Sequence, residues 1–211
     1  MTPQLPLNGL YAITPSTGSI SSLIQQVEQA LSAGIAILQY RDKSSSHEQQ
    51  ITTAKTLQSL CQQYHTTFII NDNPQLALNC KADGVHLGQS DGSVAQARKL
   101  LGDGAVIGVT CHHDVSLALT AQQQGANYVA FGRFFESKTK PGAALATSDL
   151  IQQARDQLDI PIVCIGGITQ KNAAPLIAAG ANYLAVVEGL FAANNITQTS
   201  HAFAHLFRPA I

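Results

Sequence analysis

Short apolar segments alternate with amphipathic segments along the chain, and this alternation restricts the fold more than any other feature of the sequence. Segments 10–14, 35–40 and 105–110 are short, apolar and contain β-branched residues, and a segment with apolar residues at helical spacing follows each of them. The tetrapeptide GANY occurs at residues 125–128 and again at 180–183, each time between a predicted helix and a predicted strand. Repetition of one strand–helix unit predicts an α/β fold with a parallel sheet.

The number and spacing of these units favour a barrel over an open sheet. Roughly eight strand–helix units fit in the 211 residues, which matches the smallest size class of (β/α)8 TIM barrel. A doubly wound sheet is the alternative, but polar clusters follow nearly every predicted strand, as a shared active face at the strand ends requires. We therefore expect a single (β/α)8 barrel domain over residues 1–211.

The composition argues against several classes of function. Lys and Arg (12) nearly balance Asp and Glu (13), so no basic face for nucleic acid is expected. No apolar run approaches the roughly 20 residues of a membrane span, and segment 1–13 lacks the regions of a signal peptide, which predicts a cytoplasmic protein with no membrane partner. The cysteines are widely spaced, which predicts free thiols: Cys61, Cys80, Cys111 and Cys164. The sequence leaves open whether the protein forms a homo-oligomer.

Two predicted strands each end in a loop that carries a carboxylate. Segment 68–70 is followed by Asp72, and segment 84–87 is followed by Asp91. If these are neighbouring parallel strands, their axes lie about 4.8 Å apart, so the two carboxylates can converge on one hard cation. The sequence therefore offers a divalent metal site as one interpretation of this region.

Helix capping is an equally weighted interpretation of the same residues. Asn73 before Pro74 is typical of a helix N-cap followed by proline at the first helical position, and Asp91 could cap the helix that begins near Ser93. Capping explains Asn73 better than Asp72. The histidines offer no recognised metal-ligand spacing and are expected at the surface or in loops, although His86 could line the mouth of the barrel.

The end of the second predicted strand carries three long polar side chains. Gln39, Arg41 and Lys43 share one face if the strand continues through them, because side chains alternate along a strand. A solvated edge is the alternative, but the apolar run before them predicts a strand that is buried on both faces. This favours an anion-binding site.

Three further segments suggest binding of a second anion. Gly166–Gly167 and Val187–Glu188 follow late strands, where such barrels bind phosphate through backbone N–H groups, although tight turns would explain the glycines equally. The loop 132–146 carries hydroxyls and cations that suit a lid over anionic substrates, with a solvated loop as the alternative. Those side chains are Ser137, Lys138, Thr139 and Lys140. Together these features fit a diphosphate held with Mg²⁺ beside a separate monophosphate.

The motifs of the chain, taken together, resemble one family. They are LQYRDK at 38–43, IINDN at 69–73, ADGVHLGQSD at 82–91, SKTK at 137–140 and IGGI at 165–168. In this order and at these intervals the sequence resembles the thiamine-phosphate synthases over nearly its whole length. The resemblance implies the Mg²⁺-dependent condensation of 4-amino-5-hydroxymethyl-2-methylpyrimidine diphosphate with 4-methyl-5-(2-phosphoethyl)thiazole. The products are thiamine phosphate and pyrophosphate, formed after the pyrimidine diphosphate ionises to a cation.

The resemblance also implies a role for particular residues. The implied site for the pyrimidine diphosphate comprises Gln39, Tyr40, Arg41, Asp42, Lys43, Asn71, Thr110 and Lys140. Among these, the implied catalytic residues are Arg41, Lys43, Thr110 and Lys140. The implied site for the thiazole phosphate comprises Ser137, Lys138, Thr139, Gly167, Val187 and Glu188. The implied Mg²⁺ ligands are Asp72 and Asp91.

The sequence departs from the common family pattern in places. Thr110 occupies a position where serine is usual, Ser137 one where threonine is usual, and Glu188 one where serine is common. A carboxylate beside a phosphate repels it unless the side chain turns away, so at Glu188 we expect only the backbone N–H to contribute. Two alternatives follow: a thiazole tautomerase-like isomerase, against which the retained Arg41 and Asp72 argue, and a non-catalytic thiamine-phosphate binding protein.

Overall fold

In the part of the chain that the structure describes, eight parallel strands close into a barrel with helices outside. The computed structural model describes residues 5–16, 18–136 and 145–208. The strands are β1 (Gly9–Ile13), β2 (Ile37–Tyr40), β3 (Thr67–Asn71), β4 (Gly84–Leu87), β5 (Val106–His112), β6 (Tyr128–Gly132), β7 (Ile162–Ile165) and β8 (Tyr183–Val186). They lie in chain order around the barrel, and β8 pairs with β1. This confirms the (β/α)8 prediction, and the open-sheet alternative is wrong.

The helices follow the strands in regular alternation. They are α1 (Ile20–Ser32), α2 (His47–Gln63), α3 (Pro74–Cys80), α4 (Val94–Leu101), α5 (Val115–Gln123), α6 (Ser148–Arg155), α7 (Ala174–Ala178), α8 (Glu188–Phe191) and α9 (Ile196–Leu206). Helix α7 begins later than the predicted start after Thr169, because Asn172 accepts a hydrogen bond from the Thr169 N–H (2.7 Å) and holds a turn there. Within the described ranges, no helix is long and apolar enough to cross a membrane.

Local sequence fixes where the helices near the predicted site begin. Asn73 Oδ1 accepts from the Leu76 N–H at 2.9 Å, which confirms Asn73 as the cap of α3. Helix α4 is capped by Ser93, whose side chain forms a reciprocal capping box with Gln96. The expectation that Asp91 could cap this helix is therefore wrong, since the serine nearer the helix already fills that position.

The repeated GANY tetrapeptide has a structural role at the entry to two strands. The Asn127 N–H donates to the Ile107 carbonyl at 2.7 Å, and the Asn127 side chain accepts from the Ile107 N–H at 2.8 Å. Asn182 makes the same two bonds with Ile162 at 2.9 and 3.0 Å. Asp83, which directly precedes β4, makes the same pair of hydrogen bonds with β3. Each clamp fixes the register of an incoming strand against its predecessor.

The buried residues form an outer layer between the strands and helices and an inner cluster within the barrel. Tyr11, Tyr128 and Tyr183 are the largest side chains of the inner cluster, and each is at most 1% exposed. Gly108 makes room for the Tyr128 ring, because a Cβ on Gly108 would lie 1.9 Å from Tyr128 Cζ. The interior is therefore a filled core, and ligands are restricted to its mouth.

The thiols of the chain are buried. All four cysteines are free, as their wide spacing predicted, and all four are buried. Burial raises the pKa of the Cys111 thiol to about 12, and burial raises the pKa of Cys61 and Cys164 further. These thiols are protonated at neutral pH and are unsuited to nucleophilic roles.

Candidate active site

The two predicted metal-binding carboxylates lie together at the ends of adjacent strands. β3 pairs with β4 in parallel, and the Asp72 N–H donates to the His86 carbonyl at 2.8 Å, which ties the β3 loop to β4. Asp91 Oδ2 accepts from the Gly88 N–H at 2.9 Å, which turns the β4 loop back toward the same edge. Partial burial raises the pKa of Asp91, and so do a hydrogen bond and the negative charge of Asp72. The two carboxyl groups therefore interact directly.

A cationic side chain joins this pair. Lys43 Nζ lies 3.0 Å from Asp72 Oδ2, and the Lys43 charge also acts to lower the pKa of Asp91. The Lys43 side chain is 60% exposed and that of Asp72 is 26% exposed, so solvent screens this ion pair. The pair contributes little stability, but it places positive charge where two carboxylates repel each other.

The donor set fits Mg²⁺ better than a structural metal. In the described part of the chain there is no group of three or more His, Cys, Asp or Glu side chains that could hold an ion. Mg²⁺ commonly binds proteins through one or two carboxylates and completes its shell with water and substrate phosphates. Asp72 and Asp91 meet that requirement, whereas a closed Zn²⁺ site needs four protein ligands.

The three polar residues at the end of β2 do not share one face. Strand β2 ends at Tyr40, so the alternation stops before Arg41. Gln39 points into the barrel and is 3% exposed, whereas Lys43 reaches Asp72. The Arg41 guanidinium donates to Ser16 Oγ at 3.1 Å in the β1 loop. All three residues lie at the same end of the barrel, but each side chain contacts a different part of it.

Asp42 organises the loop that carries Lys43. Its Oδ1 accepts from the N–H groups of Ser44 (2.9 Å) and Ser45 (3.0 Å), and its Oδ2 accepts from the Tyr40 hydroxyl (3.1 Å). Burial alone would raise the pKa of Asp42, but hydrogen bonds from Ser45, Ser44 and Tyr40 outweigh it and hold the pKa well below its usual range. The Asp42 carboxylate therefore stabilises the loop through these hydrogen bonds. Its predicted contact with substrate stays a prediction.

A polar cavity opens beside these residues. Its volume is about 180 Å³, and its lining includes Tyr40, Asp42, Lys43, Asn71, Asp72 and Asn73. Five of these six are residues that the sequence assigned to the diphosphate or the metal. The structure therefore brings four predicted diphosphate residues around one space, whereas Gln39 and Arg41 are not part of this lining.

Thr110 lies near the C-terminal end of β5, at the mouth of the barrel. It is half-buried near the end of β5, where the pairing with β6 shifts register between Thr110 and His112. Such irregularities redirect side chains near active sites. His86 Nε2 lies 2.7 Å from Thr110 Oγ1. The barrel mouth was one position that the sequence allowed for His86, but the sequence did not indicate this contact with Thr110.

The backbone segments predicted to bind a second phosphate directly follow β7 and β8. Gly166 (φ 106°) and Gly167 (φ 64°) have left-handed backbones, and a Cβ on Gly167 would lie 2.4 Å from the Glu136 carbonyl oxygen. Glycine is therefore required there by close packing of the β6 loop. Helix α8 begins directly after Val187, so the Glu188 N–H lies in a first turn without an intrahelical acceptor. Glu188 itself is exposed.

The predicted lid residues cannot be placed against this geometry. Ser137, Lys138, Thr139 and Lys140 lie outside the described residues, which resume at residue 145. Their contacts with either substrate stay predictions. The part of the loop that precedes them is anchored, since the Phe135 N–H donates to the Gly166 carbonyl at 3.0 Å.

Sequence comparisons give a consistent result over most of the chain. The family model described as thiamine monophosphate synthase matches residues 10–190. A thiamine-phosphate synthase of Marinobacter nauticus is 52% identical over 184 residues, which cover 87% of this chain and 82% of that protein.

Structural comparison agrees. The thiamine phosphate pyrophosphorylase from Pyrococcus furiosus superposes with a TM-score of 0.84 at 26% identity, covering 94% of this chain and 95% of that one. The orotidine 5'-phosphate decarboxylase from Pyrococcus horikoshii OT3 superposes with a TM-score of 0.70 at 14% identity, covering 95% of this chain and 100% of that one. The second likeness shows the fold alone, because this barrel supports many chemistries.

Proposed function

Since the chain belongs to the thiamine monophosphate synthase family, we propose that it condenses the pyrimidine diphosphate with the thiazole phosphate to give thiamine phosphate and pyrophosphate. The observation that carries this proposal for the chain itself is the cluster of Asp72, Asp91 and Lys43. A carboxylate pair with an adjacent ammonium group suits a metal-bound diphosphate and has no evident use in an isomerisation of the thiazole.

The proposed reaction begins when the bond between the pyrimidine methylene carbon and the diphosphate oxygen breaks. Both bonding electrons leave with pyrophosphate, and the thiazole nitrogen then donates its lone pair to the methylene cation. Mg²⁺ held by Asp72 and Asp91 would supply positive charge to the leaving diphosphate. No strong base is needed, so electrostatic stabilisation and exclusion of water account for the catalysis.

The cationic side chains at the end of β2 act on the same leaving group. Arg41 presents a planar guanidinium that can hold two phosphate oxygens, and its contact with Ser16 orients it. Lys43 acts as a point charge that can transfer from Asp72 to the diphosphate when the metal binds the carboxylates. Asn71 lines the same cavity as Lys43 and supplies an amide for hydrogen bonding.

The thiazole phosphate is assigned to the opposite side of the barrel mouth. The N–H groups near Gly167 and Glu188 suit a phosphate, because both belong to backbone turns at strand ends. The exposed Glu188 carboxylate can turn to solvent, which leaves only the backbone to contribute. Lys140 and its neighbours are proposed to complete both subsites.

One assay separates this proposal from its alternatives. The purified protein is incubated with both substrates, with either Mg²⁺ or a chelator, and thiamine phosphate and pyrophosphate are measured together. The proposal predicts equal amounts of both products with Mg²⁺ and none with the chelator. Isomerisation of the thiazole without the pyrimidine would support the tautomerase alternative. Binding of thiamine phosphate by folded protein without turnover would support the binding-protein alternative.

A further inference from the structure

A chain of hydrogen bonds crosses the barrel interior and ends at Thr110. Gln39 Nε2 donates to the Tyr11 hydroxyl at 2.8 Å, and the Tyr11 and Tyr128 hydroxyls lie 2.7 Å apart. The Tyr128 hydroxyl lies 3.0 Å from His86 Nδ1, and His86 Nε2 lies 2.7 Å from Thr110 Oγ1. The chain therefore joins two residues assigned to the pyrimidine diphosphate, Gln39 and Thr110, through three buried residues that the proposed reaction does not use.

The chemistry of each member gives the chain one direction. The Gln39 amide can only donate through Nε2, so the Tyr11 hydroxyl accepts there and has its own proton left for Tyr128. Burial raises the pKa of both tyrosines, so each hydroxyl keeps its single proton. The Tyr128 hydroxyl then has to donate to His86 Nδ1.

His86 continues the same direction. The Tyr128 hydroxyl donates to Nδ1, and a ring nitrogen that accepts a hydrogen bond carries no proton, so the ring in this arrangement is neutral. A neutral imidazole has one donor and one acceptor, and Nδ1 already accepts from Tyr128. The proton is therefore on Nε2, which donates to Thr110 Oγ1. The hydroxyl proton of Thr110 is therefore available to a partner outside this chain of hydrogen bonds.

We infer that this chain fixes the Thr110 hydroxyl as a hydrogen-bond donor to the ligand, with His86 and Tyr128 as positioning residues. The inference rests on the proposed function only for the identity of the ligand. A pyrimidine ring nitrogen is an acceptor, whereas an exocyclic amino group presents N–H donors, so the ring nitrogen is the group that Thr110 meets. The role of Thr110 is then to orient the pyrimidine ring at the barrel mouth.

Packing holds the chain in this geometry. The His86 and Tyr128 rings are stacked with centroids 5.6 Å apart, and the Tyr11 and Tyr128 rings meet edge to face at 5.9 Å. Gly108 is the position that admits the Tyr128 ring. The backbone of His86 also accepts from the Asp72 N–H, so one residue positions both the metal loop and the Thr110 hydroxyl.

The tautomer of His86 tests the direction of the chain without any substrate. Nitrogen-15 NMR of the histidine side chains, assigned with His86→Gln, distinguishes the two neutral tautomers. We expect the Nε2–H tautomer in the native protein and a mixture or the Nδ1–H form in Tyr128→Phe. The matched control is Tyr183→Phe, because Tyr183 is another buried barrel tyrosine whose hydroxyl bonds instead to the Pro6 carbonyl. The Nδ1–H tautomer in the native protein would overturn the inference.

A double-mutant cycle tests the positioning role. Tyr128→Phe should lower kcat/KM for the pyrimidine diphosphate roughly fivefold, the usual effect of one lost hydrogen bond, while Tyr183→Phe leaves it unchanged. In the Thr110→Val background, Tyr128→Phe should cause no further loss, because the hydroxyl that it positions is already absent. Equal losses in both backgrounds would show a merely structural role for Tyr128 and overturn the inference. If the native protein forms no product, the proposed function fails, and the tautomer measurement still decides the direction of the chain.

Discussion

Replacing Asp72 with asparagine should separate metal binding from stability. Asparagine matches aspartate in shape and tolerates the left-handed backbone of this position, where φ is 62°. Without metal, the variant loses a solvent-exposed pair with Lys43, which is worth about 0–1 kcal/mol, but it also loses the repulsion that raises the pKa of Asp91. We therefore expect the free energy of unfolding to change by less than about 1 kcal/mol.

The ligand-dependent part of the stability should behave differently. Mg²⁺ with pyrophosphate at about ten times its apparent Kd should raise the free energy of unfolding of the native protein by roughly 1.4 kcal/mol. For a chain of 211 residues that corresponds to a rise in Tm of roughly 3–6 °C. Asp72→Asn should lose this rise, because a single carboxylate remains to hold the ion.

The assay is thermal unfolding of both proteins with Mg²⁺ and pyrophosphate, with pyrophosphate and a chelator, and without additions. Asp159→Asn is the control, since it removes the same charge from an exposed residue before β7, at the opposite end of the barrel. It should keep the full rise in Tm. An equal rise in Asp72→Asn and native protein would refute the metal assignment, and a large loss of stability without metal would refute the description of the Lys43 pair.

Three further changes test other parts of the structure. Gly108→Ala places a methyl group against the Tyr128 ring and should destabilise the fold by about 1–3 kcal/mol or more, measured by chemical denaturation. Burial holds the pKa of His86 at about 4, below its ordinary 6.5, so protonation of the unfolded chain should remove up to about 3 kcal/mol of stability as pH falls from 6.5 to 4. His86→Gln should lose less over that interval, and an equal loss would contradict the assigned cause. Asp42→Ala frees the loop that carries Lys43, so we expect kcat/KM for the pyrimidine diphosphate to fall about tenfold, and an unchanged value would show that the loop needs no such support.

Much of the fold could be predicted because its signals are local. Short apolar runs between helical segments marked the strands, and Asn73 before a proline marked the start of α3. The meeting of Asp72 and Asp91 followed from a single topological assumption, that their strands are parallel neighbours. Capping by Ser93 rather than Asp91 was harder to predict, because both residues are good caps and only the helix start distinguishes them.

The polar interior of the barrel could not be predicted from the sequence. Strands that are buried on both faces appear as continuous apolar runs, so periodicity does not tell which side chains face inward. Tyr11 and Tyr128 therefore gave no signal, and Gln39 was placed on a face with Arg41 that it does not share. Gly108, which lies beside the Tyr128 ring, could have indicated that a large side chain fills the barrel interior. That inference requires knowledge of the strand register, which the sequence alone does not provide.

The most direct test of the site is the position of a divalent ion and pyrophosphate bound to the protein. Crystals grown with Mn²⁺ in place of Mg²⁺ and with pyrophosphate would locate the ion by its anomalous scattering. We predict one ion between Asp72 and Asp91, with pyrophosphate oxygens completing its shell and Arg41 and Lys43 contacting the same pyrophosphate. An ion bound elsewhere, or pyrophosphate bound away from these residues, would contradict the account.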